Sequence, residues 1–450
     1  MKIVIAGATG FIGRRLIHKL KYEHEITALT RSPSKSADPQ VKWLKCDLFN
    51  YKDIDKALKG ADIAIFLVHS MLPTARLNQA SFEDMDLLLA SHFARSAERN
   101  KVKRIVYLGG LIPEDKKLSA HLRSRLEVEE VFLKSKVDTI ALRAGLVMGE
   151  EGSSFQMLYW LVKRLPMMIC PTWTLSETQP VDIDTVVEAI AHSAQNFEIK
   201  KGNYDLGSPT TITYQGLMIE TAKQMGLKRP MISVPLFSPG LSNLWVSLIT
   251  GASSHLVAPL VQSLRYPMVA RKDYLFPIAL PSKSISDSIA DSIKSIQPVL
   301  RQQTRDRVKA QKRRENVISI QRITHAKLTA TQISTTYWNW LKQKLGWLIE
   351  VKSSPSQGIT LKLKPVNLKL LSFEANSSHD ETLCTHHIAD GLLISKKSPT
   401  TARIEFLRTT HNDYGLIAVQ DFLPRLPWPI YLLSQAWIHL WVTRAFIKSL

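Results

Sequence analysis

The sequence predicts a doubly wound α/β domain over residues 1 to 298 and a smaller α+β domain over residues 331 to 450. Three observations carry this. Short Val/Ile-rich runs alternate with stretches of helical period from Lys2 to Leu142. Three glycines at close spacing follow the first of those runs directly. After Pro298 the pattern passes through a basic segment into β-like runs and a final aromatic stretch. A chain of 450 residues is too long for one ordinary core, so more than one domain is expected. A hydrophobic share of 45% with 22% charged residues is that of a folded globular protein.

The elements follow in order. "KIVIA" begins at Lys2, which leaves no room for a targeting segment ahead of it. "EITALT", "VKWLKC", "DIAIFLV", "RIVYLG" and "DTIALR" are the next strand candidates. "FIGRRLIHKL" and "LNQASFEDMDLLLASHFARSA" are helical segments between them. Nearly continuous apolar strands separated by helices are what a parallel sheet covered on both faces requires. Residues 145 to 298 are less regular and read as a small substrate subdomain. Within it, the uncharged run from Pro230 to Leu264 is interrupted by prolines 230, 235, 239 and 259 and glycines 240 and 251. A membrane span needs about 20 continuous apolar residues. Short helices lining a pocket for an apolar compound are therefore expected. Ile285, Ile289, Ile293 and Ile296 mark one face of a helix that Pro298 ends.

Residues 299 to 330 read as a basic linker or solvated helix, since 301 to 327 hold nine Lys/Arg against two acids in a chain of net charge +20. Such a segment suits an anionic membrane surface. Nucleic-acid phosphates rank behind that, because no stacking-aromatic module accompanies the charges. In residues 331 to 450, "GITLKLKPVNLKLLSFE", "TARIEFLRTT" and "GLIAVQDFL" are strand-like. The closing helix carries Trp428, Tyr431, Trp437, Trp441 and Phe446, and it either closes a ligand cavity or lies at a lipid interface. Cys46, Cys170 and Cys384 match no metal spacing and read as reduced thiols, which places the protein in the cytoplasm, with the inner face of the membrane as the alternative. His379, His386, His387 and His411 are expected as scattered surface residues.

"GATGFIG" has the spacing of a dinucleotide turn. Gly7 makes the tight turn, Gly10 admits a pyrophosphate, and Gly13 lets the helix sit close on the strand. Unpaired N–H groups at the helix start then face the phosphates. Thr9, Phe11 and Ile12 share that turn as contact candidates. Thr30 and Arg31, with Lys35 nearby, stand where an acid would hold a ribose hydroxyl, which favours NADP, with NAD as the alternative. Asp47 and Leu48 end the third strand beside the adenine position, although Asp47 equally suits a helix cap. His69, in "FLVHSM" with Ser70 and Met71, follows the fourth strand and is a ribose or substrate candidate.

Together with "YLGGL", "LRAGLVMG", "QPVDIDTVVEAI" and "YDLGSPTTITY", these motifs resemble the extended, atypical branch of the short-chain dehydrogenase/reductase superfamily. The likeness extends in outline to NmrA-like NAD(P) sensors and to the Rossmann accessory subunit of respiratory complex I. It is most specific to bacterial NAD(P)-binding proteins that continue into a helix-grip domain of the START/polyketide-cyclase type. The resemblance implies a serine ending the fifth strand and Tyr-x-x-x-Lys on the next helix. Those positions hold Gly109 or Gly110, His121 and Arg125. Arg143 falls in the turn whose backbone borders the nicotinamide in the family, with Ala144 in place of proline.

His121 and Arg125 are thus the candidate catalytic pair at degenerate positions. A cation one helical turn from an imidazole disfavours its protonated form, and arginine does not release its proton. On a solvated helix, Arg123 would pair with Glu127 and Arg125 with Glu129. Conventional ketone reduction is disfavoured. The expected function is an NAD(P)H-dependent oxidoreductase of atypical mechanism on a quinone- or isoprenoid-like substrate. The alternatives are a nucleotide sensor or scaffold, and a peripheral lipid-binding protein.

Overall fold

The computed structural model describes residues 1–31, 38–70, 77–114, 118–234, 239–294, 296, 316–324, 326–354, 358–375, 378–409 and 414–450. Lys35, Met71, His411 and most of the basic segment 301–327 lie outside the described residues. The chain forms two compact units, Met1–Leu72 with Leu89–Val308, and Pro73–Leu88 with Lys309–Leu450.

In the first unit, seven parallel strands are found among the described residues. They are β1 (Lys2–Ala6), β2 (Glu25–Thr30), β3 (Val41–Lys45), β4 (Ile63–Phe66), β5 (Arg104–Gly110), β6 (Asp138–Ala144) and β7 (Gly202–Leu206). Their order in the sheet is β7–β6–β5–β4–β1–β2–β3. Ile3 lies between Ile26 and Ile63 in register, and all three are buried. That explains why these strands read as continuous apolar runs: helices cover both faces. The order reverses between β1 and β4, so the carboxyl ends of those strands open a crevice where ligands gather in such sheets. The Phe11–Leu20 helix buries Leu16, Ile17 and Leu20 in the same core as Val186, Ala189 and Ile190 of the Ile183–Gln195 helix. Arg104, almost fully buried at the start of β5, ties that strand to its surroundings by donating to Asp138 at 2.7 Å and to the carbonyls of Ser193 and Ile199 at 2.9 and 2.8 Å.

A second core holds the helices Ser153–Arg164, Tyr214–Gln224, Pro239–Thr250, Ser254–Ser263 and Ile285–Lys294. Ile285 and Ile289 are buried in it, with Ile293 and Ile296 packed against it, as their spacing predicts. The uncharged run folds into the two short helices starting at Pro239 and Ser254. No described helix is long and apolar enough to cross a membrane.

The second unit is a mixed sheet of nine strands among the described residues. Its antiparallel path runs Ile349–Ser354, Gly358–Leu363, Leu368–Phe373, Leu383–Asp390, Arg403–Arg408, Gly415–Phe422 and Val317–Ile323. Leu77–Gln79 then joins Val317–Ser319 in parallel, and Ser378–His379 pairs with Leu383–Asp390. The Ala330–Lys344 helix begins with a capping box between Thr329 and Gln332 and buries Ile333, Tyr337, Trp338 and Leu341.

Three expectations need correction. The basic linker is not irregular throughout: Val317–Ile323 is a strand with Val317, Ile318, Ile320 and Ile323 buried, a pattern hidden by averaging charge over the whole segment. "LNQ" is a strand rather than the start of a helix, and the helix begins at Phe82 after Ser81, whose hydroxyl accepts from the Asp84 N–H. His386 is no surface residue. It is buried beside Trp338, Phe373 and Phe406, 2.8 Å from the Ser334 hydroxyl.

Candidate functional site

The glycine turn is built as its spacing requires. Gly7 has φ +88°, a backbone conformation that favours glycine, and its carbonyl accepts from the Gly10 N–H at 2.9 Å. A Cβ on Gly13 would lie 2.4 Å from the Gly7 oxygen and 2.8 Å from the Ala8 Cα. The helix start is pressed against the turn, and only a hydrogen side chain permits this. Gly10 caps the Phe11–Leu20 helix without a side-chain bond, and no acid sits in its first turn. The first turn itself thus brings no carboxylate to compete for its N–H groups, which suits a phosphate. Arg14 bonds the Thr9 carbonyl and Glu151, bracing the turn.

From this turn a cavity of about 550 Å³ runs through the first unit. Its outer wall includes Gly7, Thr9, Gly10, Phe11, Ile12, Gly13 and His69. Gly109, Gly110, His121 and Arg125 form its waist. Its inner wall is apolar, with Leu158, Trp173, Leu217, Val246, Val257 and Leu260 among its residues. The nucleotide turn and the uncharged helices thus share one cavity. Arg31, Asp47 and Leu48 follow β2 and β3, outside that wall. Arg31 is exposed. Asp47 is not a helix cap. Its carboxylate accepts from the Phe49 N–H, while Asn50 caps the Tyr51–Leu58 helix by accepting from Lys52 N–H.

At the waist, Nε2 of His69 lies 3.3 Å from Nδ1 of His121. His121 is buried on the Ala120–Lys134 helix, and its pKa is well below the ordinary imidazole value. Burial is the main cause, followed by His69 and then the Arg125 cation. His121 is therefore neutral near pH 7 and is not a proton donor of the imidazolium type. Because the folded pKa is depressed, the neutral form stabilises the fold above the unfolded value of about 6.5, and that stability is lost as pH falls below it. His121→Leu is expected to flatten the decline in melting temperature between about pH 7 and pH 5 relative to the parent chain. Parallel pH–melting profiles for the two proteins would remove this role.

Neither glycine at the serine position offers a hydroxyl. A Cβ at Gly109 would come within 2.9 Å of the Tyr107 ring, whereas at Gly110 the nearest atom is Arg125 Cγ at 3.8 Å. Tyr107 donates its hydroxyl to the Arg125 carbonyl at 3.3 Å and fixes the helix there. The Nε of Arg125 is buried, with no hydrogen-bond partner among the described residues. The waist thus holds a fixed cation and a donor, but no Ser, Tyr or Lys of the usual proton-transfer set.

The helix carrying these residues is not solvated on its Glu face. Glu127 and Glu129 are both buried, since the helix packs on β5, β6 and the Ser254–Ser263 helix. Glu129 turns away from Arg125 and takes a bidentate bond from Arg143, at 2.7 Å to Nε and 2.5 Å to the terminal nitrogen. Arg143 also lies 3.5 Å from Asp205, which pairs with Arg271 at 3.1 Å. Tyr274 stacks on Arg271 with 4.0 Å from ring centre to guanidinium. Arg143, expected as a backbone neighbour of the nicotinamide, is thus the hub of a buried ion network. Sequence inspection missed Asp205 and Arg271, which lie 62 and 128 residues beyond Arg143 and carry no local pattern.

Residues 7–158 match a family model described as NAD(P)H-binding. The chain is 33% identical over 111 residues to the auxiliary protein GraX of Staphylococcus aureus, covering 24% of this chain and 36% of that one. It thus spans only about a third of the length of that relative. Among solved structures, a triphenylmethane reductase from Citrobacter sp. superposes with TM-score 0.53 at 16% identity, covering 65% of this chain and all of that one. An NADPH-dependent quinone oxidoreductase from Escherichia coli, complexed with NADPH, gives TM-score 0.51 at 17% identity, over 64% of this chain and 99% of that one. The glycine turn, the strand order and these likenesses agree: the first unit has an NAD(P)-binding Rossmann fold.

Proposed function

We propose that the chain is an NADP-preferring oxidoreductase that reduces a hydrophobic, quinone-like acceptor. One observation carries this reading: the cavity that begins at Gly7–Gly13 continues past Arg125 into a wall of apolar side chains. A pocket of this kind selects for apolar bodies with few polar groups. The turn at Gly7, Gly10 and Gly13 holds the pyrophosphate, and Arg31 takes the 2′-phosphate that distinguishes NADP from NAD. A reduced nicotinamide bound there supplies a hydride.

The residues of the waist decide which acceptors are served. Arg125, on the wall of the cavity, provides a fixed positive charge for the oxygen on which negative charge develops. Neutral His121, held by His69, adds a polar contact without an acidic proton. A quinone needs no strong acid for hydride acceptance, because its product anion is delocalised. The proton that completes the hydroquinone comes from water. The fold shared with a triphenylmethane reductase and a quinone oxidoreductase supports an acceptor of this class. In the second unit, antiparallel strands packed with the Ala330–Lys344 and Gln435–Lys448 helices support a helix-grip reading of that module.

The test follows cofactor fluorescence as NADPH and NADH are added to the purified chain, then looks for cofactor oxidation with a panel of quinones and aldehydes. Arg31→Ala is expected to weaken NADPH binding about tenfold and leave NADH unchanged, since one charge-assisted phosphate contact contributes roughly 1.5–3 kcal/mol. Quinones are expected to turn over where aldehydes do not. Saturable binding with no turnover across the panel favours the nucleotide-sensing reading instead.

A further inference from the structure

The last two helices of the second unit, Trp428–Leu433 and Gln435–Lys448, bury one side and expose another. Tyr431, Ala436, Val442, Thr443 and Phe446 are buried, and the Phe446 ring meets Tyr337 edge-on at 5.1 Å. The segment is therefore anchored, not a frayed end. Its outer side carries Ile430, Leu433, Trp437, Ile438 and Trp441. Leu433 is 82% exposed, Trp437 67% and Trp441 60%. Trp437 and Trp441, one turn apart with Ile438 beside them, form an apolar stripe on the Gln435–Lys448 helix, and Ile430 and Leu433 lie one turn apart on the separate helix before it. Single exposed apolar residues are ordinary on a protein surface, but three on one helix, two of them indoles, with two more on the helix before it, are not.

The charges carried by these two helices and the turn before them have one sign. From Phe422 to Leu450 there is no Asp or Glu, while Arg425, Arg444 and Lys448 are exposed. Leucine and isoleucine tails with indoles suit the boundary between acyl chains and headgroups, where the indole N–H still meets a polar layer. The cations suit phosphate-bearing headgroups. The Gln435–Lys448 helix has 14 residues and measures about 21 Å, too short to span, so it lies in the plane of the surface. A second copy is a poor occupant of the stripe, because a two-fold contact would bring the same three cations of each chain together with no acid on either copy's two helices to offset them.

We propose that this stripe docks the protein onto an anionic lipid bilayer, with Trp437 and Trp441 inserted at headgroup depth. The proposal stands apart from the oxidoreductase reading, since vesicle binding involves neither the cofactor nor turnover.

The experiment is co-sedimentation of the full chain with vesicles of phosphatidylcholine alone and of phosphatidylcholine mixed with phosphatidylglycerol. The parent chain is expected to pellet with the mixed vesicles and much less with the neutral ones. The double variant Trp437→Ala/Trp441→Ala is expected to lose about tenfold or more in partitioning to both. Arg425→Gln/Arg444→Gln/Lys448→Gln is expected to lose only the preference for the mixed vesicles. All these side chains are exposed, so an unchanged melting temperature, measured alongside, shows that the fold is intact. Leu433→Asp gives the same readout on the preceding helix. Equal partitioning of parent and double variant overturns the proposal, as does a failure of the parent chain to bind either vesicle. A concentration-dependent dimer that Trp437→Ala/Trp441→Ala dissolves also overturns it, in favour of a second copy as the occupant.

Discussion

Replacing Gly13 with alanine is expected to weaken NADPH binding by about 100-fold or more, the scale set by misplacing a binding group by about 1 Å. The new methyl would sit 2.4 Å from the Gly7 oxygen and 2.9 Å from the Ala8 oxygen. Both neighbours are backbone, so no side-chain rotation relieves the overlap. Either the helix start moves away from the turn, or the turn itself opens. In both cases the N–H groups of the Phe11–Leu20 helix leave the position from which they meet a phosphate. The displaced packing also costs stability, by roughly 1–3 kcal/mol as for other over-packed core sites. A fluorescence titration with NADPH and a thermal melt separate the two effects. Parent-like affinity in a folded Gly13→Ala protein would falsify the assignment of this turn as the phosphate site.

The second large effect is expected at Glu129. Truncation to alanine removes the carboxylate that holds Arg143 through two bonds and leaves that cation buried with the longer Asp205 contact as its remaining ion pair among the described residues. Asn203, which donates to Glu129 at 3.1 Å, also loses its acceptor. Breaking one side of a buried ion pair costs about 3–5 kcal/mol. Urea unfolding should show that loss. The double variant Glu129→Leu/Arg143→Met should recover part of it, because no uncompensated charge then remains in the pair. If Glu129→Ala unfolds within about 0.5 kcal/mol of the parent, as surface substitutions do, the network carries no stability. The consequence reaches the cavity, because Arg143 precedes Ala144 and Gly145 of its wall.

Much of the first unit was open to reading along the chain. Each of the six strand runs from "KIVIA" to "DTIALR" reappears as a strand, because a parallel strand buried on both faces needs apolar residues at successive positions. "GATGFIG" was equally plain, since Gly7 and Gly13 answer to backbone contacts only a few residues away. The second unit was harder. Val317–Ile323 sits among cations, and its pairing with Gly415–Phe422 lies about a hundred residues on, so charge masked the alternation. Leu77–Gln79 is three residues long and borrows its strand character from Val317.

The order of residues in the chain was enough to read the parallel sheet and the glycine turn, because each is written in local spacing; the departure at Gly109, Gly110, His121 and Arg125 was legible only through the family resemblance. Which partner Glu129 takes was settled by folding. Helix geometry offers it Arg125 four residues earlier, yet β6 presents Arg143 with two parallel donors in a buried setting, where a bidentate bond outweighs a single neighbour. Tertiary packing likewise set the pairing of His69 with His121, the burial of the Arg125 Nε without a hydrogen-bond partner among the described residues, and the joining of the glycine turn to an apolar wall. These depend on where segments far apart in sequence come to rest, and no short-range pattern encodes such distances.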